Sequence, residues 1–287
     1  MRISLGTAQF GLDYGISNKS GKIEPKEVYK ILSFAKRNGI KSIDTAQAYG
    51  ESETVLGKYD INDFEVVSKL PPLEPNVDNT YDWTIKKFNY SLRRLRINSL
   101  YGYLIHNPND LISNQGQNIF RALMELKDQK LVKKIGVSCY DQNEVDEIIS
   151  KFNLDIIQLP LNIIDRRFEK DGLLKKLKQS DIEIHTRSCF LQGLLLMKIE
   201  DVSKRFPHSS NIFKVWNEWL GKSNISALEA CLKYPLSIKY VDKVVVGIEK
   251  LDHLREILDF YSKKRSFSFP EVSSNDENLI NPSKWKI

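Results

Sequence analysis

The sequence predicts an α/β protein, a single-domain (β/α)8 barrel, on three observations. Short apolar runs rich in β-branched residues alternate eight times with longer amphipathic runs. The short runs are continuously apolar, as parallel strands covered on both faces must be. The chain is 287 residues long, the size of one such barrel.

In chain order, the first strand covers residues 3–5 and is followed by GTAQFG, residues 6–11, then by a helix over 26–38. Although GTAQFG has the spacing that opens a phosphate-binding loop, Leu12 and Asp13 stand where Lys and Ser/Thr would be needed, so that motif is rejected. The second strand, 42–44, ends on Asp44, and its helix spans 52–58. Strand 65–68 leads into Lys69 and a helix over 81–95. Strand 103–105 leads into His106 and a helix over 117–129. Strands 134–137 and 156–159 carry helices over 143–152 and 169–179, the latter including the amphipathic LLKKLK at 173–178. Strand 183–186 precedes a long insertion, 197–222, with a helical piece near 211–220, and then a helix over 226–233. Strand 243–246 and a helix over 252–261 complete the alternation. The barrel is assigned to residues 1–265, leaving 266–287 as a polar, irregular tail that, with Trp285, is expected to fold over the barrel mouth and shape the substrate site. A doubly wound sheet is the structural rival, but no GxGxxG follows the first strand.

Hydrophobic residues make up 41% and charged residues 28%, an ordinary globular balance. No apolar run approaches the ~20 residues that cross a bilayer, and the N-terminus lacks the order of a signal peptide. Cys139, Cys189 and Cys231 are scattered and odd in number, which suits a reducing compartment. A soluble, cytoplasmic protein is expected. No metal site is expected either, because no CxxC or HExxH occurs and the four histidines lie far apart. The net charge of +6 and pI near 9.0 admit a nucleic-acid partner. However, Lys and Arg are interleaved with acids, and no stripe of aromatic and basic residues supports one.

In a barrel of this kind, residues at the C-terminal ends of the strands converge on one mouth. Asp44, Lys69 and His106 stand at three successive strand ends, and Tyr49 lies five residues beyond Asp44. Taken singly, each has an ordinary reading, as a helix cap, a loop aromatic, a solvated strand end or a turn histidine. Having all four at three successive strand ends is much less easily coincidental. IDTAQAYGESE (43–53) carrying Asp and Tyr, with Lys69 and His106 following, resembles the aldo-keto reductase superfamily. The resemblance continues in GVSCY (136–140), IIQLPLNIIDR (156–166), RSCFLQGLL (187–195) and VVVGIEKLDHLREIL (244–258).

The resemblance implies reduction of a small aldehyde or ketone by NAD(P)H, with the extended cofactor lying across the mouth. It makes Tyr49 the general acid, because a carbonyl that accepts hydride becomes an alkoxide needing a proton. A lysine cation about 4 Å from the phenol, at an effective dielectric of ~20, is worth on the order of 4 kcal/mol, about three pKa units before offsets. Asp44 then pairs with Lys69, and His106 positions the carbonyl oxygen. Carried over by position, Gly6, Thr7 and Asp44 join the cofactor set, and Ser138 and Gln158 hold the nicotinamide carboxamide. Cys139 stands where the family commonly has Asn. Arg187 replaces an aromatic that stacks on the nicotinamide, and Ser188, Phe190 and Gln192 run along the pyrophosphate. At the adenine end Gly247 and Ile248 replace a Lys-Ser pair, Glu256 matches, and Lys250 and His253 substitute as cations. NADPH is expected, with NADH as the other candidate. A nucleotide-binding regulatory subunit with little turnover is the alternative to an enzyme.

Overall fold

The computed structural model describes residues 1–169, 172–265 and 267–285. Eight parallel strands close into a barrel in chain order: β1 (Ile3–Gly6), β2 (Ser42–Asp44), β3 (Glu65–Leu70), β4 (Leu100–Ile105), β5 (Val132–Ser138), β6 (Ile156–Pro160), β7 (Glu183–Arg187) and β8 (Lys243–Gly247). Closure sets Ile3 opposite Val244 and Gly6 opposite Gly247. The crossover helices are α1 (Pro25–Arg37), α2 (Ser52–Leu56), α3 (Thr80–Leu95), α4 (Gly116–Asp128), α5 (Gln142–Lys151), α6 (Leu173–Gln179), α7 (Ala227–Ser237) and α8 (Leu251–Ser262). Each presents one apolar stripe to the strands; in α1 it is Val28, Ile31, Leu32 and Ala35. Among the described residues, no helix is long and apolar enough to cross a membrane.

Several strands run farther than their apolar residues suggest. β3 continues through Lys69 to Leu70, and β5, β7 and β8 take in Ser138, Arg187 and Gly247. Backbone pairing does not depend on side-chain polarity, so the ladder carries polar residues into the mouth. α6 starts at Leu173, after Gly172 in a left-handed conformation (φ 73°). The expected start of that helix takes in residues 170 and 171, which lie outside the described residues.

The insertion holds two helices, Ile199–Arg205 and Ser210–Ser223, where the sequence suggested one. The second is seated by Phe213 and Trp216, both 1% exposed. Trp219 stacks on Trp216 and meets Phe269 of the tail at 5.9 Å. The described tail is not irregular throughout: it makes two helical turns, Glu277–Ile280 and Pro282–Lys284. Val272, Leu279 and Ile280 are buried, and Ser274 N–H donates to the Ile164 carbonyl at 2.8 Å. Trp285 packs edge-on against Phe206 and donates to the Leu279 carbonyl at 3.1 Å. Residues 266, 286 and 287 of the tail lie outside the described residues.

The N-terminal end of the barrel is plugged by a charged layer. Glu183 accepts from Lys134 at 2.7 Å, Tyr101 at 2.8 Å and His185 at 3.3 Å. Burial works against its charge, but these hydrogen bonds outweigh burial and hold the carboxyl down at about 2. A carboxyl depressed on folding contributes stability above its unfolded value of ~4.3, and that contribution is lost as pH falls toward 2. Glu183→Gln should therefore flatten the pH dependence of unfolding free energy between about pH 4.5 and 2. Urea denaturation across that window checks this, and parallel curves for the two proteins would contradict it.

Candidate active site

The C-terminal ends of the strands surround a cavity of about 570 Å³. Every residue predicted for the site lines it except Lys69 and Lys250. Lys69 lies beneath the floor, fully buried, as its proposed role requires. Lys250 is an exposed residue in extended backbone just before the first turn of α8 and does not line the cavity.

Under the floor, Lys69 Nζ donates to Asp44 Oδ1 at 2.6 Å and to the Thr45 carbonyl at 2.9 Å. The other Asp44 oxygen accepts from Gln158 Nε2 at 2.6 Å. Lys69 Nζ also donates to Tyr49 Oη at 3.4 Å. An ammonium has no acceptor, so the phenol oxygen accepts there and its own O–H is free to donate elsewhere. The His106 ring stands edge-on to Tyr49, with centroids 5.8 Å apart. Burial, reinforced by Lys69 and Arg187, pushes the His106 pKa down to about 3, so the imidazole is neutral.

The expected pull of Lys69 on the phenol is not the dominant effect. Burial raises the Tyr49 pKa above the ordinary 10, and the Asp44 carboxylate raises it further. Lys69 and Asp44, only 2.6 Å apart, present the phenol with a dipole instead of a bare cation. Tyr49 consequently stays protonated at neutral pH, the state a proton donor needs.

Tyr49 is held by close backbone approach. A Cβ on Gly11 would fall 2.0 Å from the Tyr49 carbonyl oxygen and 2.3 Å from the Ser52 nitrogen. Gly50, at φ 56°, makes the reciprocal approach to Gly11. Ser52 Oγ donates to the Thr7 carbonyl at 2.8 Å, tying the same loop to the end of β1. The glycine that completes GTAQFG thus serves packing. Gly11→Ala should displace the Tyr49 loop and lower kcat by about 10²-fold, the scale of an ångström-sized misplacement. Steady-state rates check this; an unchanged kcat in the variant would show that the loop is held by something else.

Around the rest of the wall, Ser138 Oγ lies 3.5 Å from Gln158 Oε1. Arg187 donates to Ser138 Oγ at 3.3 Å and to the Cys139 carbonyl at 3.2 Å, and stacks on Tyr140 at 4.1 Å. Cys139 itself is buried behind the wall. The loop after β7 passes through left-handed backbone at Ser188, Leu191, Gln192 and Gly193, and Gln192 accepts from Ile16 N–H at 3.0 Å. At the far end Glu249, His253, Glu256 and Ile257 close the cavity. Burial lowers the His253 pKa. Gln9, Tyr14 and Tyr140 also line the cavity and were missed. Collecting polar residues just past each strand end would have found Gln9 and Tyr140; Tyr14 lies farther out on its loop.

The Aldo/keto reductase family profile matches residues 2–276. The chain belongs to the aldo/keto reductase family. The uncharacterized oxidoreductase YqkF of Bacillus subtilis is 25% identical over 284 residues, covering 91% of each protein. The glyoxal reductase of the same organism is 26% identical over 198 residues, covering 67% of this chain and 69% of its own. In fold, the chain is similar to the aldo-keto reductase AKR11C1 from Bacillus halodurans, with a TM-score of 0.74 at 19% identity over 93% of this chain and 88% of that one. This aldo/keto reductase is thus an oxidoreductase of carbonyl compounds that uses a nicotinamide cofactor.

The wall fits that cofactor. Gln9 Oε1 and His106 Nδ1 are buried without a hydrogen-bond partner. A Cβ on Gly247 would lie 2.8 Å from Gln9 Nε2, so the bare strand end leaves room where a side chain would intrude. The cavity volume is also in the ~300–1,000 Å³ range of small-molecule sites.

Proposed function

We propose that this aldo/keto reductase is an NADPH-dependent reductase of a small aldehyde or ketone, with Tyr49 as the general acid. The observation that carries the proposal is the Tyr49 phenol, backed by the buried Lys69–Asp44 pair and standing beside a neutral His106 in the cavity wall. Bound NADPH supplies the hydride. His106 donates a hydrogen bond to the carbonyl oxygen, and Tyr49 delivers its proton to the same atom. The Lys69 ammonium, 3.4 Å from Tyr49 Oη, then stabilises the phenolate left behind. Ser138 and Gln158 would hold the carboxamide, and Gly6, Thr7, Ser188, Phe190, Gln192 and Gly247 would flank the chain of the cofactor. The tail supplies Pro282 and Ser283 to the wall and so bears on substrate choice.

The adenine end sets the choice of cofactor. The first turn of α8 favours an anion there, and exposed Lys250 precedes it. Glu249 and Glu256 oppose a 2′-phosphate, and the lowered His253 is a weak counter-cation. Our reading gives the phosphate to Lys250. Lys250→Ala should weaken NADPH more than NADH, by about 1–3 kcal/mol. Fluorescence titration with both cofactors checks this; equal losses would remove Lys250 from phosphate recognition, and a wild-type preference for NADH would replace the cofactor in the proposal. Activity itself is tested by NADPH absorbance decay with a panel of aldehydes and ketones. Binding of NADPH without turnover of any of them would contradict the reductase reading.

A further inference from the structure

Arg187 is a cation in the wall of the reaction cavity. Among the described residues, no carboxylate forms an ion pair with it. Hydrogen bonds to Ser138 Oγ and the Cys139 carbonyl, with the Tyr140 ring 4.1 Å away, fix its position. Those contacts use two of the five guanidinium donors and leave the others for a ligand. The charges around it cancel. Lys69 is paired with Asp44 at 2.6 Å, and His106 is neutral. The other carboxylates in the wall, Glu249 and Glu256, belong to the far end beside β8 and α8. Arg187 is near enough to act electrostatically on Tyr14, Tyr49, Lys69 and His106 alike.

We propose that Arg187 determines substrate specificity by pairing with a carboxylate on the substrate, so that the preferred substrates are oxo acids. The inference rests on the reductase reading. The substrate's acid group takes the free guanidinium donors while its carbonyl oxygen lies between Tyr49 and His106. The carbonyl carbon gains the hydride from NADPH, and the oxygen gains the Tyr49 proton. The carboxylate is unchanged and the product is a hydroxy acid. An arginine holds its charge throughout the physiological pH range and matches a carboxylate with two parallel hydrogen bonds. A neutral aldehyde leaves the guanidinium without that partner.

The test compares glyoxylate and 4-oxobutanoate, each against its methyl ester, at saturating NADPH. The wild type should favour the better acid over its ester in kcat/KM. Arg187→Met should cut that acid-to-ester ratio by about 10- to 100-fold, the scale of a charged hydrogen-bonded pair. Arg187→Lys should retain part of the ratio, because it keeps the charge and loses the fork. Both substrates share one cofactor, so any change in NADPH binding cancels in the ratio. A ratio unchanged in Arg187→Met, or a wild type that prefers the ester, would overturn the proposal. If the wild type reduces neither, the panel of aldehydes and ketones decides the reductase reading separately, and quenching of bound-NADPH fluorescence by the acid decides the role of Arg187. Acid binding abolished in Arg187→Met would support that role; binding retained would overturn it.

Discussion

Lys69→Met should destabilise the protein by about 3–5 kcal/mol, the cost of breaking a buried ion pair from one side. Lys69 is fully buried and Asp44 only 3% exposed, so no water replaces the lost ammonium. The substitution strips Asp44 Oδ1 of its 2.6 Å donor and the Thr45 carbonyl of its 2.9 Å donor, leaving Gln158 as the remaining partner of the carboxylate. Adding Asp44→Asn removes the stranded charge and should recover a large part of the loss, although neither form restores proton transfer. Urea unfolding of the two single variants and the double variant measures the coupling. A loss under about 1 kcal/mol in Lys69→Met would mean that the pair is not desolvated as its burial implies.

Much of the fold is legible in the sequence because a barrel repeats one local rule eight times. An apolar run reads as a strand whether or not its neighbours are known, and α1, α3, α4 and α5 fall within one residue of their periodic patterns. The set of Asp44, Tyr49, Lys69 and His106 is legible for a related reason: strand order fixes which ends converge. What a strand-by-strand reading misses depends on contacts made across the chain. The reach of β3 through Lys69 is set by its pairing with β4, in which Lys69 lies opposite Leu104. Trp285 packs against Phe206 of the insertion, a contact across the chain that local pattern does not show. The role of Gly11 rests on an approach to Tyr49 across 38 positions of sequence, to which local pattern is blind. Whether the Tyr49 phenol is raised by burial or lowered by Lys69 is decided by the assembled mouth, where burial is the larger effect and raises it.

The second large effect is in the chemical step, and it is the most direct measurement of the proton-transfer role. Tyr49→Phe removes one oxygen, keeps the ring beside His106, and leaves the Lys69–Asp44 pair and the Gln158 contact intact. Folding and cofactor binding should survive, so the NADPH Kd should move by less than about threefold, under ~1 kcal/mol. General acid catalysis contributes roughly 10²–10⁴ in rate. Raising the Tyr49 pKa above 10 makes the phenol a reluctant acid on its own. Its efficiency depends on Lys69 receiving the developing phenolate. Single-turnover reduction of the best carbonyl substrate by NADPH-loaded enzyme isolates this step from product release. With Tyr49 acting as the donor, the Tyr49→Phe rate should fall at least about a hundredfold at saturating substrate. A folded, NADPH-saturated Tyr49→Phe enzyme whose single-turnover rate stays within about tenfold of wild type, below the usual range for a lost general acid, would contradict that assignment.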